Sequence, residues 1–243
     1  NLTHNNCLLC NSQKLINIKG YQKHNLVKCN NCGFVFIKLI PTTQDLDTYY
    51  KDYSYGREQY LSPITIKSYN KLLDEFEPYR TNNLLPDVGC GMGFFMEQAI
   101  KRGWKVYGTE YSEQAINICQ AKGIKMQKGK LDSSKFDGLK FDIITSFEVL
   151  EHINNPIEEI DNIKTLLKQG GLFYCTTPNF NSLLRYYLKD NYNIITYPEH
   201  LCYYTKQTLN YLLNNAGFTS EKTLTTGISI TRLKTSTKKV NDN

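Results

Sequence analysis

The chain has 243 residues, of which 40% are hydrophobic, and a formal net charge of +6 at pH 7. This length suits one substantial domain with a small appendage, and it allows a sizeable buried core. The moderate charge lacks the dense basic stripe of nucleic-acid-binding proteins, so we expect no nucleic-acid partner. We find no apolar run of membrane-spanning length and no charged-then-apolar leader, which predicts a cytoplasmic protein without membrane insertion. The oligomeric state stays open.

Two C-x-x-C pairs characterise the first predicted module, residues 1–40. Cys7 and Cys10 form one pair, and Cys29 and Cys32 form the other. Each pair can place two thiolates on one turn, and two pairs at this separation complete the tetrahedral site of a zinc ribbon. Because the protein supplies all four ligands, the predicted zinc is structural rather than catalytic. The other four cysteines are scattered, as is typical of small apolar core residues.

Residues 41–80 are rich in tyrosine and form the second predicted segment. The apolar residues of 66–76 follow helical spacing, which favours a helical connector that packs its aromatic side chains on the larger domain. The alternative is a lid over an active site, because tyrosines offer a polar substrate both flat faces and hydroxyl groups. In that interpretation Tyr53 and Tyr55 are candidate substrate contacts.

From residue 81 to 232 the sequence alternates between strands and helices, and residues 233–243 form a polar tail. This alternation predicts an α/β fold with a doubly wound, mostly parallel sheet and a ligand beyond the carboxyl ends of its strands. The predicted strands are Leu84–Val88, Lys105–Thr109, Ile124–Lys128, Phe141–Ser146 and Leu172–Thr176. The predicted helices are Phe94–Arg102, Glu113–Ala121, Ile157–Lys168 and Lys206–Ala216.

A glycine-rich turn follows the first of these strands. Asp87 precedes Gly89, Gly91 and Gly93, and the next helix begins directly after them. Glycines permit a close backbone approach to a ligand, and the free N–H groups of a helix N-terminus favour polar or anionic groups. The spacing is G-x-G-x-G, whereas the dinucleotide fingerprint is G-x-G-x-x-G, which argues against a nicotinamide oxidoreductase.

An acidic residue, Glu110, ends the second predicted strand, 23 positions after Asp87. A carboxylate at this place can accept hydrogen bonds from both hydroxyls of an adenosine ribose. The neighbouring Tyr111 offers a ring that can cover one face of an adenine. Together with the glycine turn, these residues predict an adenosine-containing cofactor.

These features, together with the segment 141–153 (FDIITSFEVLEHI), resemble the class I S-adenosylmethionine-dependent methyltransferases. The resemblance covers about residues 81–220, and the F-D-x-x-x-x-x-x-x-L-E-H pattern is its most specific part. The later segment 170–179 resembles the end of the fifth strand in the family. The segments 197–201 and 209–218 are similar to its small-molecule and sugar-modifying branch, as is an N-terminal zinc-binding leader followed by a tyrosine-rich segment. Pro86 departs from the apolar residue usual in the first strand, and it cannot donate a ladder hydrogen bond.

The resemblance implies roles for individual cofactor-binding residues. Backbone groups of Gly89 and Gly91 contact the methionine part of S-adenosylmethionine, and Asp87 orders the turn. Leu131 and Asp132 lie at the adenine edge, the first through a backbone N–H and the second through its carboxylate.

The implied reaction is direct displacement at the sulfonium methyl group, in which alignment of the reactants supplies much of the rate enhancement. Phe147 packs where the fourth strand meets the cofactor. An oxygen nucleophile benefits from a base, for which His200 is the first candidate because imidazole titrates near neutral pH. His152 is the second candidate, although its position beside a helix start is also typical of a structural histidine. Tyr197 is a further candidate substrate contact.

The predicted acceptor is a small polar molecule, most specifically a sugar or glycan precursor. One alternative is an RNA methyltransferase that grips RNA with its zinc module, but Ser146–Val149 lacks the N/D-P-P-Y/F signature associated with exocyclic amines. A second alternative is a non-catalytic scaffold of the same fold, which would not bind the cofactor.

Overall fold

A computed structural model describes residues 2–21, 24–51, 60–136 and 138–225. Its nine strands within these ranges are β1 (Leu15–Asn17), β2 (Leu26–Cys29), β3 (Val35–Ile37), β4 (Leu84–Val88), β5 (Lys105–Glu110), β6 (Lys125–Lys128), β7 (Phe141–Phe147), β8 (Leu167–Thr176) and β9 (Cys202–Tyr203). The α-helices are α1 (Thr43–Lys51), α2 (Pro63–Phe76), α3 (Phe94–Lys101), α4 (Glu113–Ala121), α5 (Pro156–Leu166), α6 (Leu183–Leu188) and α7 (Lys206–Asn215). No helix in these ranges is long and apolar enough to cross a membrane.

The chain divides into two compact units that each draw on separate segments. The first unit comprises Asn1–Tyr49, Leu150–Glu158 and Thr177–Asn243, and the second comprises Tyr50–Val149 and Glu159–Thr176. The predicted 1–40 module lies wholly inside the first unit. The predicted segments 41–80 and 81–232 are each shared between the two units, because parts of the chain far apart in sequence pack together.

The second unit contains a parallel five-stranded sheet in the order β6-β5-β4-β7-β8, which confirms the predicted α/β fold class. Pro86 lies within β4 and pairs in register with Tyr107 of β5. On the other side, pairing of β4 with β7 starts only at Asp87, opposite Thr145. Pro86 therefore lies in the part of β4 that pairs with β5 but not with β7.

Local sequence signals explain where the helices of the second unit begin. Ser62 caps α2 by accepting a hydrogen bond from the Thr65 N–H at 3.1 Å, and Pro63 occupies the first turn. Ser112 caps α4 in the same way. Aromatic and aliphatic side chains then fill the core between helices and sheet, including Leu73, Phe76, Leu85, Phe95, Met96, Ala99, Trp104, Val106, Cys119, Ile124 and Ile143.

The first unit contains an antiparallel four-stranded sheet in the order β1-β2-β3-β9. Val35 and Phe36 of β3 lie opposite Tyr203 and Cys202 of β9, so the three N-terminal strands are joined by a fourth from the C-terminal part of the chain. A separate core supports this sheet and includes Tyr21, Leu26, Val35, Ile37, Phe180, Leu184, Leu188, Tyr192, Ile194, Ile195 and Tyr203.

Candidate functional site

The glycine turn predicted from the sequence follows β4 in the second unit. Gly89, Gly91 and Gly93 all have positive φ angles, of 65°, 53° and 74°. A Cβ atom at Gly89 would lie 2.6 Å from Cγ2 of Val149. The turn is held against β5, because the Gly89 N–H donates to Oγ1 of Thr109 at 3.1 Å. The turn therefore requires glycine both for its backbone conformation and for its close packing.

Replacing Gly93 by alanine is expected to destabilise the protein more than replacing Gly123. Both glycines have positive φ, so both substitutions carry the same kind of backbone strain. A Cβ at Gly93 would also lie 2.7 Å from Cδ1 of Ile124 and 2.9 Å from Sγ of Cys119, whereas one at Gly123 meets nothing within 4 Å. Overpacking adds about 1–3 kcal/mol to the loss. Thermal denaturation of G93A and G123A measures the difference, and equal melting temperatures would contradict it.

The carboxylate of Glu110 faces the glycine turn from the end of β5. Its Oε2 accepts a hydrogen bond from the Gly91 N–H at 3.1 Å. Its Oε1 accepts hydrogen bonds from the N–H groups of Tyr111 at 2.7 Å and Ser112 at 3.2 Å. The carboxyl ends of two adjacent parallel strands thus place an acid beside three glycines, where it can accept hydrogen bonds from a diol.

Asp87 lies at the same edge of the sheet and is only 3% exposed. Its Oδ1 accepts a hydrogen bond from Oγ1 of Thr145 at 2.7 Å. Burial raises the pKa of Asp87 from 3.8 to about 7; the Thr145 hydrogen bond opposes this shift, and the charge of Glu110 adds to it. Asp87 is therefore a buried acid that holds the end of β4 to β7.

The raised pKa of Asp87 predicts a specific pH dependence of stability. The folded state binds this proton more tightly than the unfolded chain, so the free energy of unfolding falls as pH rises from about 4 to about 7. The full effect is on the order of 4 kcal/mol. D87N should lack this slope while keeping an oxygen to accept from Thr145. Urea denaturation of both proteins across this range measures it, and parallel curves would refute the shift.

The remaining predicted cofactor residues also lie in the second unit. The backbone N–H of Gly129 donates to the Glu110 carbonyl at 2.8 Å, which brings the segment after β6 close to the acid. Further along this segment Leu131 is fully buried. The Asp132 carboxylate accepts hydrogen bonds from the N–H and hydroxyl of Ser134, which lower its pKa. Asp132 thereby fixes the start of a short turn.

Two aromatic residues flank this edge. Tyr111 is 56% exposed, so part of its ring surface is accessible to a ligand. The ring of Phe147, at the end of β7, packs 5.0 Å from Phe95 and 5.6 Å from Tyr174, measured between centroids. Phe147 is partly buried and packs against the core of the unit.

The two predicted catalytic histidines lie together in the first unit. Their ring centroids are 4.8 Å apart. Nδ1 of His152 lies 2.7 Å from the carbonyl of Glu199, and Nδ1 of His200 lies 2.6 Å from the carbonyl of Ile194. Since a carbonyl only accepts hydrogen bonds, Nδ1 is the protonated nitrogen in both rings.

Of the three predicted substrate tyrosines, only Tyr197 lies among the described residues. Tyr197 lies in the first unit, is 36% exposed and precedes a cis-proline. Its hydroxyl donates a hydrogen bond to the Asp45 carboxylate, and burial together with this acid raises the pKa of Tyr197. Tyr53 and Tyr55 lie outside the described residues.

The four predicted zinc ligands converge in the first unit. Their sulfur atoms all lie within 4.8 Å of one another, and the pairs Cys7–Cys32 and Cys10–Cys29 are each 3.5 Å apart. Four thiolates about 2.3 Å from a tetrahedral zinc would be separated by roughly 3.8 Å. None of the eight cysteines, all of which lie among the described residues, forms a disulfide bond. The donor set and its spacing therefore fit zinc.

Hydrogen bonds donated to these sulfur atoms favour the thiolate form. The N–H of Leu9 donates to Sγ of Cys7 at 3.5 Å, and the Asn31 N–H donates to Sγ of Cys29 at 3.4 Å. Burial opposes ionisation of Cys10, but hydrogen bonds from the Asn31 side chain and other donors outweigh it and lower its pKa to about 7. Burial raises the pKa of Cys7 to about 11. A bound cation would supply the charge that keeps all four thiols deprotonated.

Sequence reasoning missed three polar partners at these sites. Thr145 bonds Asp87, Thr109 bonds Gly89, and Glu151 lies beside the histidine pair. Thr145 and Glu151 both belong to the 141–153 segment that carries the family resemblance. The available signal was strand register, because Thr145 lies directly opposite Asp87 once β4 and β7 are aligned.

Comparison with known proteins defines the class of this chain. A family model described as a methyltransferase domain matches residues 57–223, so the chain belongs to that family. Solved structures agree on the fold. They include a SAM-dependent methyltransferase from Archaeoglobus fulgidus, with 20% identity, a TM-score of 0.51, and coverage of 73% of this chain and 86% of that one. Magnesium protoporphyrin IX methyltransferase from Synechocystis PCC 6803, solved with bound SAH, has 19% identity, a TM-score of 0.52, and coverage of 76% and 90%.

Curated relatives of this chain have names that are more specific than the description of the family. A ubiquinone biosynthesis O-methyltransferase from Coxiella burnetii is 37% identical over 101 residues, which are 39% of this chain and 43% of the relative. The protein of the same name from Roseobacter denitrificans is 28% identical over 131 residues, covering 51% of this chain and 52% of the relative. The chain thus spans about half the length of these relatives.

Proposed function

We propose that the protein transfers the methyl group of S-adenosylmethionine to a small-molecule acceptor. The observation that carries this proposal is the position of the Glu110 carboxylate, which faces the three-glycine turn from the neighbouring strand. In this assignment Glu110 binds the ribose hydroxyls, and Gly89 and Gly91 approach the methionine part. Tyr111 covers the adenine, with Leu131 and Asp132 at its edge. The family membership and the parallel sheet support the same cofactor.

Transfer forms a bond between the acceptor heteroatom and the methyl carbon and breaks the bond from that carbon to sulfur. S-adenosylhomocysteine leaves with the sulfur electron pair, and the acceptor loses a proton. The names of the O-methyltransferase relatives favour an oxygen nucleophile on a small molecule. A sugar or glycan precursor is our narrower proposal for the acceptor, and it rests on the sequence resemblance around 197–201. Methyl transfer from radiolabelled cofactor to a panel of sugars and phenols tests it.

We propose His200 as the base that takes the acceptor proton, with His152 beside it. The Nδ1–H of His200 is held by the Ile194 carbonyl, so Nε2 is the nitrogen that can accept a proton. Replacing His200 by glutamine should lower kcat by about 100-fold or more, the usual range for losing a general base. S-adenosylhomocysteine affinity should stay unchanged.

Replacing His4 by glutamine is the matched control for the base proposal. Its Nε2 lies 2.7 Å from the Asn154 side chain and it has no role in the proposed chemistry. An unchanged kcat in H200Q, measured with the best acceptor of the panel, would remove His200 from the mechanism.

We further propose that Cys7, Cys10, Cys29 and Cys32 hold a structural zinc ion. Zinc would link the turn at Cys7–Cys10 to the turn that joins β2 and β3, and so stabilise the small sheet of the first unit. This proposal is independent of the cofactor assignment.

A further inference from the structure

Two cysteines outside the proposed zinc site lie side by side at the glycine turn of the second unit. Cys90 is a residue of the turn itself, between Gly89 and Gly91, and Cys119 belongs to α4. Their Sγ atoms are 4.0 Å apart, which is van der Waals contact between two sulfur atoms. We call these two residues the turn cysteines.

The glycine turn and its neighbouring strand pack directly on both sulfur atoms. A Cβ atom at Gly93 would lie 2.9 Å from Sγ of Cys119, and one at Gly108 of β5 would lie 2.7 Å from Sγ of Cys90. The carbonyl of Gly91 accepts a hydrogen bond from Sγ of Cys119 at 3.3 Å, and Sγ of Cys90 lies 3.7 Å from the same oxygen. The conformation of the turn therefore depends on where these two sulfur atoms lie.

The two turn cysteines differ in exposure and in acidity. Cys90 is half-buried and Cys119 is fully buried, so a small oxidant approaches the pair from the side of Cys90. A hydrogen bond from Cys90 lowers the pKa of Cys119, burial opposes this shift, and the charge of Lys122 adds to it. The interaction with Cys119 and burial both raise the pKa of Cys90. Cys119 therefore loses its proton more readily, and the thiolate is the form that reacts with oxidants.

We propose that the turn cysteines are a site of reversible oxidation, at which hydrogen peroxide converts them into a disulfide that weakens cofactor binding. The Cys119 thiolate attacks one peroxide oxygen, so that a sulfur–oxygen bond forms, the oxygen–oxygen bond breaks and the leaving hydroxide takes up a proton to give water. The Cys90 sulfur then displaces the oxygen of this sulfenic acid, which forms the sulfur–sulfur bond and releases a second water. The two thiols lose two electrons and two protons, and the peroxide takes up both.

The disulfide changes the glycine turn in two ways. The sulfur atoms move from van der Waals contact to bonding distance, about 2 Å closer. Since α4 holds Cys119 in the core of the unit, the turn makes most of this movement. Cys119 also loses the S–H group that donates to the Gly91 carbonyl. In the proposed function, on which this consequence rests, Gly89 and Gly91 approach the methionine part of the cofactor, so oxidation lowers its affinity.

Oxidation of the full-length, zinc-loaded protein with hydrogen peroxide tests the site. We expect peptide mass mapping to find the peptide that contains Cys90 joined to the peptide that contains Cys119. Calorimetry should show that the affinity for S-adenosylhomocysteine falls by about tenfold or more, the effect of losing one hydrogen bond. Dithiothreitol should reverse both changes. The mapping uses the wild type, so it needs no variant to fold.

Two variants make the experiment specific to the turn cysteines. C119S cannot form the disulfide, so peroxide should leave its affinity at the value of its own reduced form. This variant keeps the four proposed zinc ligands, and it therefore separates the disulfide from oxidation at those ligands. C175S is the matched control, in which peroxide should lower the affinity as it does in the wild type.

Three results would overturn this proposal. They are the absence of the joined peptide in peroxide-treated wild type, an unchanged affinity once the joined peptide has formed, and the same loss of affinity in C119S as in the wild type. S-adenosylhomocysteine binding by the reduced wild type is measured first. Its absence would count against the proposed methyltransferase function, whereas the joined peptide bears on the turn cysteines alone.

Discussion

Replacing Glu110 by alanine is expected to weaken S-adenosylhomocysteine binding by about 100-fold or more. A carboxylate that accepts two ribose hydroxyls makes two hydrogen bonds to a charged group, each of which contributes about 1.5–3 kcal/mol. The variant also loses the acceptor for the Gly91 N–H, 3.1 Å away, so the glycine turn loses a support as well. Isothermal titration calorimetry measures the affinity.

Two further variants make the Glu110 experiment specific. E113A removes the next acid along the chain, which is exposed and pairs with Lys128, and its affinity should match the wild type. E110Q keeps the shape and one acceptor oxygen, so its affinity should fall between those of the wild type and E110A. Wild-type affinity in a folded E110A would show that Glu110 does not hold the ribose.

Replacing Cys29 by alanine is expected to release the zinc ion and to unfold the small sheet of the first unit. Cys29 ends β2 and is fully buried, so its loss opens the proposed site and leaves a cavity in the same place. Structural zinc contributes about 10–16 kcal/mol to the folding of small zinc modules, far more than one core side chain. Metal analysis should find about one zinc per chain in the wild type and almost none in C29A.

C175A is the matched control for the zinc experiment. Cys175 lies in β8 of the second unit, whereas the four proposed ligands belong to the first, so its replacement should leave the zinc content unchanged. A wild-type protein that is fully folded without metal would contradict the zinc proposal.

Local signals made much of the parallel sheet predictable. Strand β4 and helix α4 have the predicted bounds, because a buried apolar run and a serine cap mark their limits. Strand β8 begins at Leu167, five residues before the predicted Leu172. Helix α5 ends at Leu166 and passes directly into the strand, so no turn residues mark the boundary.

Contacts distant in sequence explain what the sequence did not predict. The pairing of β3 with β9 joins residues about 165 positions apart, and neither strand carries a signal that selects the other. The proximity of His200 to Glu151 and His152 likewise depends on the loop before β9 returning to the 3₁₀ turn at Leu150–His152. By contrast, Asp87, the glycines and Glu110 follow two adjacent strands, so their proximity was predictable from the order of the sheet.

Calorimetric titration of the zinc-loaded wild-type protein with S-adenosylhomocysteine tests the central claim most directly. We predict saturable binding of one molecule per chain, strongly reduced in E110A and unchanged in E113A. A folded protein that releases or absorbs no heat of binding, and that shows no bound ligand by equilibrium dialysis, would contradict the assignment of the glycine turn to S-adenosylmethionine.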